Sequence, residues 1–568
     1  MIFSNQEKII KGDTRKLFFS LLTLWFIVNI IQSILTEVIS DEAYYSLYGK
    51  FLAWGYFDHP PMVAVMIKLS SILFDGNLGI RFMTVILQLG TLLLTWKVID
   101  ESKYEQSGVL YFFLISASMI MFTAYGFITT PDASLLFFTA LFLYAYKGFL
   151  GKRSWKMVFI LSISMAGLVY SKYQAVLVIG FVVLSNLRIL KSWRFWIAGI
   201  SAIIFLSPHI AWQVTNDFPS FRFHLVERAE EFKWIYFLEY LPNQMVIFNP
   251  FVLGAVIYVL IKSKFPDLFI RSLFFLIIGF LGFFWITSLR GHVEPHWTVA
   301  CSGPIIVLLV NSIKNDKGLR KYVNYFVVPS LVLILITRIL LITNIPLMTK
   351  SGMNGKREKY EFIESVSKDL PVVFLSSFQG PSLFSYFTGK EAFPVSTLFT
   401  RQTQYDIWKF EKKYLNKPAF IAYSRSPHST LYKKDSFTFT GYRTDSLQTT
   451  NRLKIAFDMP PDKVSAGDTL KLAFTINNPC DYDIDFNHSQ FPVRVFAAYL
   501  KGKVTHIHPV ELSGSIGIIK KGQSVQRKIK TAVPDISEGK YQFGITLQTD
   551  LGPTLNCSFV KIKIIDHD

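Results

Sequence analysis

The residues of this chain best suited to chemistry lie in one stretch, Asp41 to Pro61, DEAYYSLYGKFLAWGYFDHPP. It sets Asp41 and Glu42 side by side, follows them with Tyr44, Tyr45, Tyr48 and Tyr56, and closes on His59 before two prolines. A carboxylate can take a proton from a hydroxyl, a histidine can donate a hydrogen bond, and tyrosine rings can stack on a sugar. At helical spacing Asp41, Tyr44, Tyr45 and Tyr48 share a face, so one carboxylate looks out over a phenol-lined surface. Ser40 is placed to cap this helix, and acids in its first turn are kept ionised by the exposed amides and the helix dipole. An amphipathic interfacial helix with a purely structural role has the same composition, and the segment alone leaves both readings open.

Further charged groups recur in separate short segments. Asp132 in TTPD opens an apolar run, as a helix cap or as a second functional carboxylate. Arg81 and Lys172 lie at the ends of other apolar runs. Arg222, His224 and Arg228 in FRFHLVER, with Arg290, His292, Glu294 and His296 in RGHVEPH, add both signs. Several cations converging beside acids fit a phosphate-bearing lipid better than isolated snorkelling side chains do.

The elements that must position these groups are membrane helices. The chain has 568 residues, 51% of them hydrophobic and only 17% charged, which is too apolar for a soluble enzyme of this length. Runs long enough to cross hydrocarbon, at roughly 20 residues each, number about eleven. They begin near Lys16, Leu78, Gly108, Pro131, Lys156, Gln174, Trp193, Trp234, Leu268, Trp297 and Tyr322. The first is too long for a cleaved signal peptide and is expected to stay as an anchor. Basic residues gather at alternate loop ends, among them Arg15 and Lys16, Lys152 and Arg153, Arg188 and Lys191, and Lys317 to Lys321. The positive-inside rule makes those ends cytoplasmic, with a cytoplasmic N-terminus, and places the candidate residues on the outer side. The net charge of +19 is then mostly topogenic, and no basic patch interleaved with aromatics argues for a nucleic-acid partner.

An odd number of spans puts everything after Thr343 outside. Residues 1–345 are expected as the membrane module and 346–445 as a small α/β subdomain. Residues 446–568, with short alternating strands between turn residues, are expected as an immunoglobulin-like β-sandwich. Cys480 and Cys557 share that outer region, as a disulfide or as two buried thiols. Asp481-Tyr482-Asp483-Ile484-Asp485 has the spacing of a metal-binding acid motif but stands among turn residues and reads as a loop. No Walker loop, dinucleotide glycine fingerprint, Cys/His zinc spacing or internal repeat is present.

Taken in order, DEAYYSLYGKFLAWGYFDHPP, TTPD, SKYQAVL, SPHIAWQVTNDFPSFRFHL, RGHVEPHW and RQTQYDIW resemble the GT-C membrane glycosyltransferases. The likeness is to the bacterial branch related to protein O-mannosyltransferases and the lipid A aminoarabinose transferase, over roughly Met1 to Trp408. It implies transfer of a sugar from a polyprenyl-phosphate carrier to a lipid, glycan or protein acceptor, on the outer face of a cell inner membrane. It also maps the catalytic acids onto Asp41, with Glu42 beside it, and onto Asp132. Related transferases carry a lysine where this chain has His59, a donor without a permanent charge. Donor or phosphate contacts are then expected from His59, Arg81, Lys172, Arg222, His224, Arg228, Arg290, His292 and Glu294. Sugar stacking is expected from Tyr44, Tyr45, Tyr48 and Tyr56. Such a reaction needs a base and cations for the departing phosphate. It requires no cofactor, and the acids would also tolerate a divalent cation. A transporter or flippase of polyprenyl-linked lipids is the competing reading, and would place its charges nearer mid-membrane.

Overall fold

An apolar run in hydrocarbon can satisfy its own backbone only as a helix, and the first of two compact units, Met1–Gly355, is built from such runs. A computed structural model describes residues 2–99, 106–223, 232–262, 267–343, 345, 354–502 and 504–565. The helices of the first unit are α1 (Ile2–Leu35), α2 (Ser40–Lys50), α3 (Met62–Leu73), α4 (Gly76–Val98), α5 (Gln106–Ser118) and α6 (Ile120–Ala124). They continue as α7 (Pro131–Lys152), α8 (Trp155–Ser171), α9 (Val176–Ser185), α10 (Trp193–Thr215), α11 (Pro219–Arg222) and α12 (Trp234–Phe248). The last are α13 (Pro250–Lys262), α14 (Leu268–Thr287), α15 (Ser302–Ile313), α16 (Lys317–Tyr322) and α17 (Val328–Ile342). Among the described residues seven helical stretches are long and apolar enough to cross a membrane. An eighth is formed if α12 and α13 count as one span, bent by 102° where Asn249 takes a left-handed φ of 74°. This is a multi-pass membrane protein.

All eleven expected runs are helical, but three of them are short. The run after Gly108 breaks at Met119, which is extended, into α5 and α6. Near the break, Ser116 and Ser118 turn their hydroxyls back onto the carbonyls of Phe112 and Leu114. The run around Tyr170 to Gln174 divides into α8 and α9 because Lys172 leaves helical geometry, with φ −161° and ψ 138°. One further apolar helix, α3, falls well short of a span at 12 residues.

The helices pack through close-set aromatic side chains such as Phe18, Trp96, Phe112 and Phe142. At Gly167 a Cβ would stand 2.2 Å from the Phe138 ring, so glycine there lets α8 lie directly on α7.

The second unit, Lys356–Asp568, joins two layers of structure. Strands β1 (Val372–Phe374), β2 (Ala392–Pro394), β3 (Ala419–Ala422), β4 (Thr430–Lys434) and β5 (Phe437–Thr444) form a sheet in the order β2-β1-β3-β5-β4. Its first three strands are parallel, and helix Gln379–Thr388 connects β1 to β2. The rest is two facing sheets. One is ordered β11 (Val504–Pro509), β10 (Arg494–Lys501), β15 (Gly539–Thr549), β17 (Val560–Ile565) and β7 (Lys463–Ser465), with β16 (Gly552–Thr554) against β15. The other runs β12 (Glu511–Leu512), β14 (Ser524–Ala532), β8 (Thr469–Asn477) and β6 (Lys454–Phe457). β9 (Ile484–Asp485) and β13 (Ile518–Ile519) pair separately. Alternate residues of both sheets, Leu472, Phe474 and Ile476 against Val495, Phe543 and Ile545, share one core.

RQTQYDIW has a structural place in this unit. Thr403 caps helix Gln404–Trp408 with Asp406, and Arg452 reaches the Asp406 carbonyl and the buried Glu411 carboxylate. In the acidic run of the sandwich, Asp483 accepts the Lys521 amide, 38 residues on, and Asp485 the Asn487 amide, so the first ties two distant segments and the second builds a turn. Cys480 and Cys557 are free thiols.

Candidate functional site

Glu42 and Arg81 form the rigid centre of the site. Both side chains are fully buried, and the guanidinium grips the carboxylate twice, Nε to Oε1 at 2.7 Å and Nη2 to Oε2 at 2.5 Å. Arg81 also donates from Nη1 to the carbonyls of Ser33 and Thr36, and from Nη2 to that of Glu37. All five of its N–H donors are thereby used. The expectation of a phosphate contact at Arg81 is corrected on that ground: the side chain has neither a free donor nor access.

The role expected of Glu42 changes for the same reason. Its Oε1 accepts the Thr129 amide at 2.8 Å and its Oε2 the Ile39 amide at 3.2 Å, so no oxygen faces substrate. Glu42 ties α2 to α4 and to the segment that leads into α7. It also caps α2 by accepting from Ile39. The helix therefore begins one residue earlier than expected, with Ile39 at the cap position and Ser40 inside the first turn.

TTPD divides its work among its residues. Thr129 meets the Thr84 hydroxyl at 2.7 Å and donates to the Ile80 carbonyl. Thr130 caps α7 by accepting the Asp132 amide, and Pro131 opens the helix, where a missing N–H costs nothing. Asp132 is thus relieved of capping. Its buried carboxylate accepts from Lys172 Nζ at 2.7 Å, and His296 Nε2 stands 3.8 Å from its other oxygen. Lys172 was expected to serve phosphate. It is 4% exposed and pairs with Asp132, which carries its charge balance.

The tyrosines are also spoken for. Tyr48 and Tyr56 stack face to face at 3.9 Å and 6°, both fully buried, so the sugar-stacking role expected of them is corrected: no ring face is open. Tyr48 donates to Asp58 at 2.6 Å, and Tyr56 bonds the carbonyls of Tyr48 and Phe51, closing the end of α2. Burial pushes the Tyr56 phenol up to about 12. Tyr44 and Tyr45 are buried as well, at 1% and 6% exposure, with no open face for a sugar. Tyr45 Oη lies 3.0 Å from His59 Nε2. Burial first, and then the charges of Asp41, Asp58 and Asp132, hold the Tyr45 phenol well above the usual tyrosine range. All three carboxylates therefore act on one phenol, and Asp41 and His59 are both half-buried.

A second set of bonds fixes the loop that carries Asp58 and His59. His209 Nδ1 meets the Trp54 carbonyl at 2.6 Å, which puts the ring proton there and leaves Nε2 to accept from Tyr173. Gln213 donates to Tyr173 and to Ser220, and Ser220 donates to the Tyr56 carbonyl. Trp212 lies flat on Gly55, where a Cβ would stand 2.3 Å from the indole. Beside this loop is an apolar cleft of about 430 Å³ lined by Leu52, Trp54, Pro61, Met62, Val65 and Tyr170.

The remaining expected residues stand apart from this cluster. Arg222 pairs with Asp217 on the surface, and His292 stands 3.8 Å from Glu294, both exposed. Arg290 is exposed, with no ion pair among the described residues. His224 and Arg228 lie outside the described residues. No group of three or more His, Cys, Asp or Glu side chains among the described residues is arranged to hold a metal. Asp58, His209, Gln213 and Ser220 were not picked out from the sequence, although FDHPP and SPHIAWQVTNDFPS contain them. The only available signal was polar residues near the ends of apolar runs.

With this geometry in view, comparison with known proteins can be set against it. The family described as dolichyl-phosphate-mannose-protein mannosyltransferase matches residues 58–212. That stretch holds Asp58, His59, Arg81, Asp132, Lys172 and His209, and begins after Asp41 and Glu42. The lipid A galacturonosyltransferase RgtD of Rhizobium johnstonii is 23% identical over 323 residues, 52% of this chain. The match spans 65% of the length of that relative. ArnT from Cupriavidus metallidurans in the apo state superposes with a TM-score of 0.55 and 12% identity, over 76% of this chain and 97% of its own. The chain has the fold of a GT-C glycosyltransferase. The structure of the same ArnT bound to undecaprenyl phosphate matches this GT-C chain equally well, at 0.55 and 12% identity over 75% and 97%. These likenesses show the GT-C fold.

Proposed function

We propose that this protein transfers a sugar from a polyprenyl-phosphate donor to a lipid, glycan or protein acceptor on the outer face of a bacterial inner membrane. The observation that carries the reading is the buried Glu42–Arg81 pair, which, with the Thr129 amide on Glu42, ties the first turn of α2, where Asp41 stands half-buried, to the segment that sets Asp132, paired with Lys172, at the start of α7. The ArnT that shares the fold binds undecaprenyl phosphate, and the apolar cleft along Trp54, Met62 and Tyr170 suits an isoprenoid tail. The buried charges of the site lie at helix ends, with Glu42 and Asp132 in the first turns of α2 and α7 and Lys172 at the C-cap of α8, which supports an enzyme over a transporter.

The reaction is a single displacement with inversion. Asp41 takes the proton of the acceptor hydroxyl as its oxygen bonds the anomeric carbon. The bond from that carbon to the phosphate oxygen breaks, and the polyprenyl phosphate leaves with the electron pair. Asp132 orients Lys172 and His296, and the half-buried His59 and His296 donate to the departing phosphate. Glu42 acts by positioning. The test is incubation of the purified protein with a panel of polyprenyl-phosphate sugars and mass spectrometry of the released carrier phosphate. Asp41→Asn is expected to fold normally and to lower release by at least about a hundredfold, within the range typical of a lost general base. Full release by a folded Asp41→Asn would refute the assignment.

A further inference from the structure

Arg338 is a charge set into α17, a helix that shows Val332, Leu333, Leu335, Ile336 and Ile339 to its surroundings. It is 9% exposed and forms no ion pair among the described residues. Its hydrogen bonds all run from Nη2, to Asn29 Oδ1 at 2.8 Å and to the Thr123 carbonyl at 3.3 Å. Nε is buried and donates to nothing. The guanidinium carbon lies 4.9 Å from the centre of the Phe127 ring. Asn29 precedes the end of α1 by six residues, about 9 Å along that helix.

Two apolar clefts meet at this side chain. One, of about 290 Å³, lies between α1, α5 and α17 and is lined by Leu21, Trp25, Phe113 and Leu335. The other, of about 180 Å³, lies between α6, the bend at Asn249 and α17, and is lined by Phe127, Pro250, Leu333 and Leu341. Thr123, Ile334 and Arg338 border both.

We propose that Arg338 binds the phosphate of an anionic two-chain membrane phospholipid whose acyl chains lie one in each cleft. A cation this deeply buried is stable when an anion completes it, and the chain offers it only neutral partners. The planar fork of a guanidinium matches two phosphate oxygens, and Nη1, which makes no hydrogen bond among the described residues and is not closed off as Nε is, remains available for that contact. Two clefts converging on one charge match a lipid with two tails. A single isoprenoid chain would leave one of them empty.

The experiment is native mass spectrometry of the full-length protein in detergent, titrated with phosphatidylglycerol as probe. The wild type is expected to retain one tightly held lipid, and Arg338→Gln to bind it at least tenfold more weakly. One-chain lysophosphatidylglycerol is expected to bind less well than the two-chain lipid, and millimolar inorganic phosphate not to displace it. Ile334→Trp puts a larger side chain on the wall that both clefts share while leaving the guanidinium and Asn29 in the chain, and is expected to weaken the lipid at least tenfold too; it decides the matter if Arg338→Gln does not fold. Wild-type occupancy in a folded Arg338→Gln, or in Ile334→Trp when the first variant fails, would overturn the proposal. So would undecaprenyl phosphate binding at Arg338 in preference to phosphatidylglycerol. Sugar transfer is not part of the readout, so failure here leaves the proposed activity untouched.

Discussion

Breaking the Glu42–Arg81 pair separates positioning from chemistry. Arg81→Met removes a side chain with five donors and strands a carboxylate that is fully buried and keeps only the amides of Thr129 and Ile39. Removing one partner of a buried ion pair costs about 3–5 kcal/mol, or roughly two to four orders of magnitude in the ratio of folded to unfolded protein. Glu42→Met/Arg81→Met strands no charge. What it loses are partners for two amides and for the carbonyls of Ser33, Thr36 and Glu37. The two single losses should therefore exceed the double loss in sum, by a coupling of about 2 kcal/mol or more. Asp41→Asn, at a half-buried position in the same helical turn, should stay within about 1 kcal/mol of wild type. The assay is reversible unfolding in mixed micelles, followed by tryptophan fluorescence, beside release of carrier phosphate. If Arg81→Met unfolds like wild type, or Glu42→Gln is dead and fully stable, then Glu42 is a chemical group and the positioning argument is wrong.

Other consequences are open to direct measurement. Lys172→Met should cost about 3 kcal/mol by stranding Asp132, and adding Asp132→Asn should restore much of it; the same unfolding assay reads both. Gly55→Ala pushes a methyl to 2.3 Å from the Trp212 ring and should cost about 1–3 kcal/mol with loss of turnover, relieved in part by Trp212→Leu. In the second unit, burial holds the His488 imidazole below its usual range, against the nearby Asp485, while its Nδ1 accepts the amides of Gln490 and Phe491. A folded pKa below the unfolded one means that this contribution is complete above about pH 6.5 and is lost as pH falls through and below that value. Hydrogen exchange of the full-length protein, corrected for intrinsic rates, should show those two amides losing protection between pH 7.5 and 5.5. His488→Gln should abolish the change.

The parts that the sequence disclosed and the parts it concealed differ in how far they reach along the chain. Apolar length marks a span wherever it falls, so the helices from Leu268 onward were plain. The breaks at Met119 and Lys172 turn on single backbone torsions that no hydropathy window registers. Asp41 and Glu42 were visible as acids beyond a first span. Which of them faces inward depends on Arg81, 39 residues away from Glu42, and on the Thr129 amide, 87 residues away. Helical spacing correctly put Tyr44, Tyr45 and Tyr48 near one another, yet could not foresee that Tyr56 folds back to cover Tyr48. Arg338 stood in the sequence as a lone charge within a span, which is itself a signal. Its meaning came only with Asn29 and the clefts on either side.

Because Asp41 and Glu42 are consecutive, their side chains leave α2 about 100° apart. A helix turned by one residue would offer Arg81 the shorter aspartate, which lacks the reach to meet the guanidinium and the Thr129 amide together. The glutamate pocket thus acts as an index pin, admitting α2 in a single rotational phase. Insertions or deletions between Ile39 and Glu42 should therefore be far less tolerable than substitutions at the exposed Lys50 end, since a slip would turn the proposed base away from the other carboxylates while leaving every residue of the motif in the chain.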